Sequence, residues 1–151
     1  MAEKYEARIN WQNSQINEGS RPEGRPFWAG TKEGKLLLPA GPDGTPFWYP
    51  RAYAKGTLGD VSWQESKGEG TVYSYSVHYI GPPGFSKKGD APHVIALVDL
   101  DEGVRVMTNL VKDEENFPDI DADQARIGQR VRVVFDELSE DYTLPRFTPV
   151  D

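Results

Sequence analysis

The sequence predicts a mainly β protein whose C-terminal part is a small five-stranded Greek-key barrel of the OB type, preceded by helices and a turn-rich hairpin. Three observations predict it. Apolar and polar residues alternate from Val61 onward in four or five short runs, as in half-buried strands. An acidic, Gly-containing turn joins two of these runs, and one short helical connection precedes the last. Gly68 and Gly70 before the longest run, and Gly128 before the final one, supply points where a strand can bend sharply into a barrel. A plain β-sandwich made from the same strands is the competing architecture. The texture of the chain divides it into an N-terminal helical segment 1–35, a hairpin segment 36–60 and a barrel domain 61–151.

The elements follow in order. Residues 1–24 are polar, with Tyr5, Ile9 and Ile16 on one narrow helical stripe that ends at Gly19. Such a helix is weak alone and needs something to lie on. Pro26 stands where a first helical position belongs, so a second, short helix is predicted over 27–34, limited by Gly30 and Gly34. Residues 36–60 are dense in Pro and Gly around two apolar runs, Leu36–Leu38 and Phe47–Tyr49, which is turn chemistry around a small hairpin. In TVYSYSVHYI, alternation places Tyr73, Tyr75, Val77 and Tyr79 on one face and Ser74, Ser76 and His78 on the other. PHVIALVDL and VRVMTNLV flank Asp101-Glu102-Gly103 and read as a hairpin. RVRVVFDEL gives a last strand with Val131, Val133 and Phe135 inward and Arg130 and Arg132 outward. The stretch between these runs is acidic and broken by Pro118, with room for a turn or two of helix.

Composition narrows the function. The 151 residues include no cysteine, which removes disulfides, thiolate zinc sites, iron–sulfur clusters and a cysteine nucleophile. His78 and His93 are too few for a multi-histidine metal centre. The net charge of −7 weighs against a general nucleic-acid binder, since counterion release requires clustered cations. Residues 90–141 hold 14 of the 24 acids and 5 of the 17 bases, so an anionic ligand belongs with the first two-thirds of the chain. No apolar run approaches the roughly 20 residues of a membrane helix, and MAEKYEARIN is too charged for a signal peptide; a cytoplasmic protein without a membrane partner is expected. The chain contains no GxSxG elbow, no HExxH and no phosphate loop ending in Lys-Ser/Thr, and GEGTVY lacks the third Gly of a dinucleotide fingerprint. Independent catalysis is not expected.

The order of RPFWAGTKEGKLLLP, FWYPRAYA, GEGTVYSYSVHYIGPPGF, PHVIALVDLDEGVRVMTNLV and ARIGQRVRVVF resembles a family of acyl-CoA-associated proteins with N-terminal helices, a rubredoxin-like zinc ribbon and a C-terminal OB-fold. The resemblance implies an accessory subunit of thiolases, acyltransferases or related aldolases, in which the partner carries the catalytic chemistry and this chain helps bind acyl-CoA. Some related domains are fused to hydratases. Family members carry two Cys-x-x-Cys pairs, and laying FWYPR on the family pattern puts those positions at Ala40, Asp43, Ala54 and Thr57. One carboxylate among four positions cannot hold a structural zinc, so the ribbon is expected to be a degenerate, metal-free relic. Phe27, Trp28, Phe47, Trp48, Tyr49, Arg51 and Tyr53 would then form a surface for a thiolase-like partner.

The expected ligand site is the loop Gly81-Pro82-Pro83-Gly84-Phe85 with Lys87 and Lys88. Its two prolines stiffen it, Phe85 offers an apolar tip, and the lysines suit the phosphates of a coenzyme A thioester shared with the partner. His78 beside that loop is placed to bond a thioester carbonyl or a CoA amide, or simply to be a solvated histidine. His93 shows no partner at this level. A free-standing OB module that binds acyl-CoA, or single-stranded nucleic acid by stacking on the abundant aromatics, is the alternative; the absence of a basic stripe weighs against nucleic acid.

Overall fold

The computed structural model describes residues 22–54, 56, 59–80, 92–115, 117–140 and 142–150. The predicted stripe of Tyr5, Ile9 and Ile16 and the loop carrying Pro82, Pro83, Gly84, Phe85, Lys87 and Lys88 lie outside the described residues.

A 3-10 turn, Pro22–Gly24, leads into helix α1, Arg25–Lys32, with Pro26 in its first turn, where a missing N–H leaves no intrahelical bond unmade. The helix begins and ends two residues before the predicted span. Its end is set by Gly34, whose φ of +72° lets the chain reverse while Gly34 N bonds Thr31 O at 3.0 Å and Lys35 N bonds Gly30 O at 2.9 Å. α1 buries Phe27 and Thr31 and lies against the strands Leu37–Ala40, Arg130–Glu137 and Thr143–Pro149.

Strand β1, Leu37–Ala40, pairs antiparallel with β2, Ser62–Glu65, from Leu37↔Glu65 to Ala40↔Ser62. The predicted hairpin is reduced to the bridge Ala40↔Pro46, with Phe47 N bonding Pro39 O at 2.9 Å and Gly41 N bonding Thr45 O at 3.1 Å around a tight turn. Phe47–Tyr49 does not become a strand, because Pro46 and Pro50 on either side offer no N–H to a ladder. The sheet partner of β1 is thus a run the alternation pattern grouped with the barrel.

The barrel strands are β3 (Glu69–His78), β4 (His93–Leu100), β5 (Arg105–Asn109), β6 (Arg130–Glu137) and β7 (Thr143–Pro149), in the antiparallel order β5-β4-β3-β6-β7. A parallel bridge, Leu110↔Phe147, with Val111 N bonding Phe147 O at 2.9 Å, brings the end of β5 to β7 and nearly closes the sheet. That closure separates a barrel from a sandwich. Between β5 and β6 runs a single 3-10 turn, Ala122–Gln124, as the acidic sequence predicts. The Asp101-Glu102-Gly103 turn joins β4 to β5, with Leu100 N bonding Val104 O at 2.8 Å. Val72, Val94, Ala96, Val98, Val106, Val131 and Phe147 fill the interior.

Two faces differ from simple alternation. The β3–β4 register shifts between Val72 and Ser74, a bulge at Tyr73. Val72, Tyr75 and Val77 therefore pack inward, while Tyr73 is turned out to solvent. Tyr79 follows the end of β3 and is 70% exposed. On β6 the inward set is the expected one: Val131 is core and Val133 and Phe135 pack against it. Val134 and Asp136, on the opposite face, are buried as well, because α1 lies on the outside of β6 and β7.

Candidate functional site: an aromatic cleft over a buried polar chain

The outer surface of β4, β5 and β7 forms the floor of an open cleft of about 530 Å³. Alternation positions Ile95 and Met107 there, since their neighbours Val94, Ala96 and Val106 point into the core. α1 supplies one wall with Phe27 and Trp28; the loop after β1 supplies another with Trp48, Tyr49 and Pro50; Leu144 and Pro145 of β7 complete the lining. The rings interlock. Phe27 meets Trp28 edge-on at 5.0 Å and Trp48 at 5.1 Å between centroids, and Trp48 lies tilted against Tyr49 at 5.3 Å. Met107 is 61% exposed, an apolar side chain on the floor of an open groove.

His93 and Asn109 also line the cleft, and from them a chain of polar groups runs beneath it. His93, at the start of β4, is buried and bonds through Nδ1 to Asp119 Oδ1 at 2.9 Å. Asn109 accepts from Arg146 Nη1 at 3.1 Å, and its amide nitrogen lies 3.5 Å from the same Asp119 oxygen. Arg146 Nη2 reaches Asp136 Oδ2 at 2.7 Å, with side chains 3% and 1% exposed. That last contact is charge against charge without hydrogen-bond alignment. Cross-strand geometry explains the meeting: Asp136 pairs with Leu144 and Val134 with Arg146, so the two charged residues are diagonal neighbours on one face.

The structure divides the predicted partner surface. Phe27 is core; Trp28, Phe47 and Trp48 are half-buried; Tyr49, Arg51 and Tyr53 are exposed, the two tyrosines at 54% and 56%. His78 lies at the far end of β3, where its Nε2 is 2.8 Å from Ser76 Oγ, a partner on the same strand face, and it does not line the cleft. The sequence reading missed the barrel side of the cleft and the polar chain. His93 showed no partner because Asp119 is 26 residues away.

At the family's zinc-ligand positions the two turns do come together: a Cβ on Gly41 would lie 3.0 Å from the Ala54 methyl. Ala40 and Ala54 are buried, and Thr57 lies outside the described residues. Asp43 spends its carboxylate on Thr45, accepting from the backbone N at 2.9 Å, and the hydrogen bonds from Thr45 hold its carboxyl below the ordinary value. Two methyl groups and one committed carboxylate do not fit a structural zinc.

Elsewhere on the barrel the outward arginines are matched by acids. Arg105 forks onto Asp99 at 2.6 and 3.1 Å, Arg130 onto Asp101 at 2.7 and 2.8 Å, and Arg132 meets Glu114. The guanidinium bonds hold the carboxyls of Asp99 and Asp101 below their ordinary values. Arg105 also lies 3.3 Å over the ring of Tyr73, so the aromatic turned out by the bulge already carries a cation.

A nearly closed five-stranded barrel with this strand order is an OB-fold. Residues 63–136 match the family model described as the ChsH2 C-terminal OB-fold domain. The chain is 38% identical over 74 residues to a DUF35 domain-containing scaffold protein of Methanocaldococcus jannaschii, covering 49% of this chain and 46% of that protein. It is 36% identical over 92 residues to a protein of the same description from Methanothermobacter thermautotrophicus, covering 61% and 60%. A protein of Thermomonospora curvata described as a probable enoyl-CoA hydratase alpha subunit is 39% identical over 94 residues, 60% of this chain and 26% of that one. The chain thus spans about half the length of the two archaeal relatives and about a quarter of the third. Among solved structures, a chain of the Ltp2-ChsH2(DUF35) aldolase superimposes with a TM-score of 0.72 at 29% identity, over 88% of this chain and 98% of that one. A DUF35-family protein of unknown function from Sulfolobus solfataricus shares the fold, with a TM-score of 0.61 at 16% identity over 95% and 96% of the two chains.

Proposed function

We propose that this chain is a non-catalytic accessory subunit that assembles with a thiolase-like enzyme of acyl-CoA chemistry and helps to hold the thioester. The observation that carries the reading is the likeness to a chain of the Ltp2-ChsH2(DUF35) aldolase, which covers 88% of this chain and 98% of that one. Exposed Tyr49, Arg51 and Tyr53 supply the contact surface, and Lys87 and Lys88 supply charge for the CoA phosphates. The ribbon works without zinc, and the chain works in the cytoplasm.

Two results are expected. Co-expression with a thiolase-type enzyme of the same organism yields a complex larger than either protein by size-exclusion chromatography, and Arg51→Ala with Tyr53→Ala lowers co-purification at least about tenfold without moving Tm, since both side chains are exposed. Unchanged complex formation overturns the proposed interface. Purified protein contains no stoichiometric zinc and keeps its circular dichroism in chelator; a metal ratio near one with unfolding on chelation overturns the metal-free ribbon.

A further inference from the structure

We propose that the aromatic cleft binds the uncharged, apolar acyl end of a thioester. The choice of a thioester rests on the accessory-subunit reading above; the choice of a neutral, apolar occupant rests on the cleft.

Its volume of about 530 Å³ is in the range of small-molecule sites, and its lining is largely hydrophobic and aromatic. Three separate parts of the chain meet in it: α1, the loop after β1, and the outer barrel face. Charge then selects the occupant. Among the described lining residues Glu23 is the only acid, none is Lys or Arg, and the one histidine, His93, already meets the Asp119 carboxylate through Nδ1 at 2.9 Å. A phosphate or a free carboxylate would find no uncommitted lysine or arginine and one repelling neighbour. Arg146, bonded to Asn109 of the lining, is already committed to Asp136. Aliphatic carbons, by contrast, would cover Ile95, Met107 and Leu144 and stack against Trp28 and Trp48, while Thr108 and Asn109 give the floor a polar side for a carbonyl. The cleft thus takes the part of an acyl-CoA that lysines cannot hold.

Trp28 and Trp48 make the test direct, because an occupant changes their fluorescence. The full chain is titrated with octanoyl-N-acetylcysteamine, a neutral thioester without the nucleotide, and in parallel with octanoate and with CoA bearing no acyl group. Saturable binding of the thioester is expected, with octanoate at least about tenfold weaker and no fluorescence change for CoA. Met107→Glu introduces a carboxylate at an exposed strand position and is expected to weaken the thioester at least about tenfold, whereas Met107→Leu keeps it. Thermal melts of both variants accompany the titrations, and Met107→Gln, a neutral polar change, serves if the charged variant fails to fold. Failure of the thioester to saturate, equal binding of octanoate, or undiminished binding by Met107→Glu overturns the proposal. So does release of the thioester when the partner enzyme binds, which would make the cleft a seat for the partner's side chains. Thioester binding without complex formation sinks the accessory reading alone; complex formation without thioester binding sinks the cleft assignment alone.

Discussion

Arg146→Met is expected to destabilise the protein by about 3–5 kcal/mol, read as a lowered denaturant midpoint. The reason is what remains behind. Asp136 is fully buried, and its carboxylate meets Arg146 at 2.7 Å. With the guanidinium gone, a charge taken out of water keeps no cation beside it, and Asn109 loses the Nη1 donor it accepts from at 3.1 Å. The pair itself need not add stability, because desolvating both ions offsets most of their attraction. Replacing both, as Asp136→Leu with Arg146→Met, is therefore expected to recover most of the loss and to fall near wild type. A single substitution that costs no more than a surface change, or a double variant as unstable as the single one, would show that the ion pair is wetter than its 3% and 1% exposures imply.

The second large effect is expected at Gly70. A Cβ built there would lie 2.6 Å from the Asp99 carbonyl oxygen and 2.7 Å from Val98 Cγ1. The carbonyl cannot retreat freely, since Thr71 pairs with Asp99 in the β3–β4 ladder. Gly70→Ala should cost about 2–3 kcal/mol through overpacking and a forced separation of the two strands. Gly128→Ala provides the contrast. Its φ is +84° and a Cβ there would meet open space, so only the left-handed backbone is penalised, about 1 kcal/mol. Equal losses at the two sites, measured by urea unfolding, would refute the close approach at Gly70.

Four of the five barrel strands were legible because their signal is local; RVRVVFDEL is not the last strand, and β7 after it was missed because Pro145 and Pro149 interrupt its run. Val94, Ala96 and Val98 alternate with more exposed neighbours, and Asp101-Glu102-Gly103 is turn chemistry visible without a partner strand. The short helix was legible through Pro26 and Gly34, to within two residues. What escaped depends on pairing. The bulge at Tyr73 inserts one residue relative to β4, and no pattern within β3 alone reveals which residue is extra. Nothing within RVRVVFDEL marks Asp136 as buried; its burial comes from α1, a hundred residues earlier, folding over β6 and β7. The cleft was half legible: Phe27, Trp28, Trp48 and Tyr49 were singled out as an aromatic surface, but Met107 and Leu144 join them only once the barrel closes. The residues expected to handle CoA, from Pro82 to Lys88, lie outside the described residues, apart from His78, which the fold places away from the cleft.

The corner between β2 and β3 ties the ribbon to the barrel. Glu102, on the β4–β5 turn, accepts from Ser66 Oγ at 3.0 Å and from Lys67 N at 2.7 Å, while Asp101 N bonds Glu69 O at 3.0 Å and Val133 N bonds Gly68 O at 2.7 Å. Four bonds from two different parts of the barrel thus hold the three-residue elbow, Ser66 to Gly68, and the first residue of β3. The small sheet behaves as a handle fixed to a cup. Whatever turns the handle also turns the barrel floor of the cleft, because these bonds take up the slack at the corner.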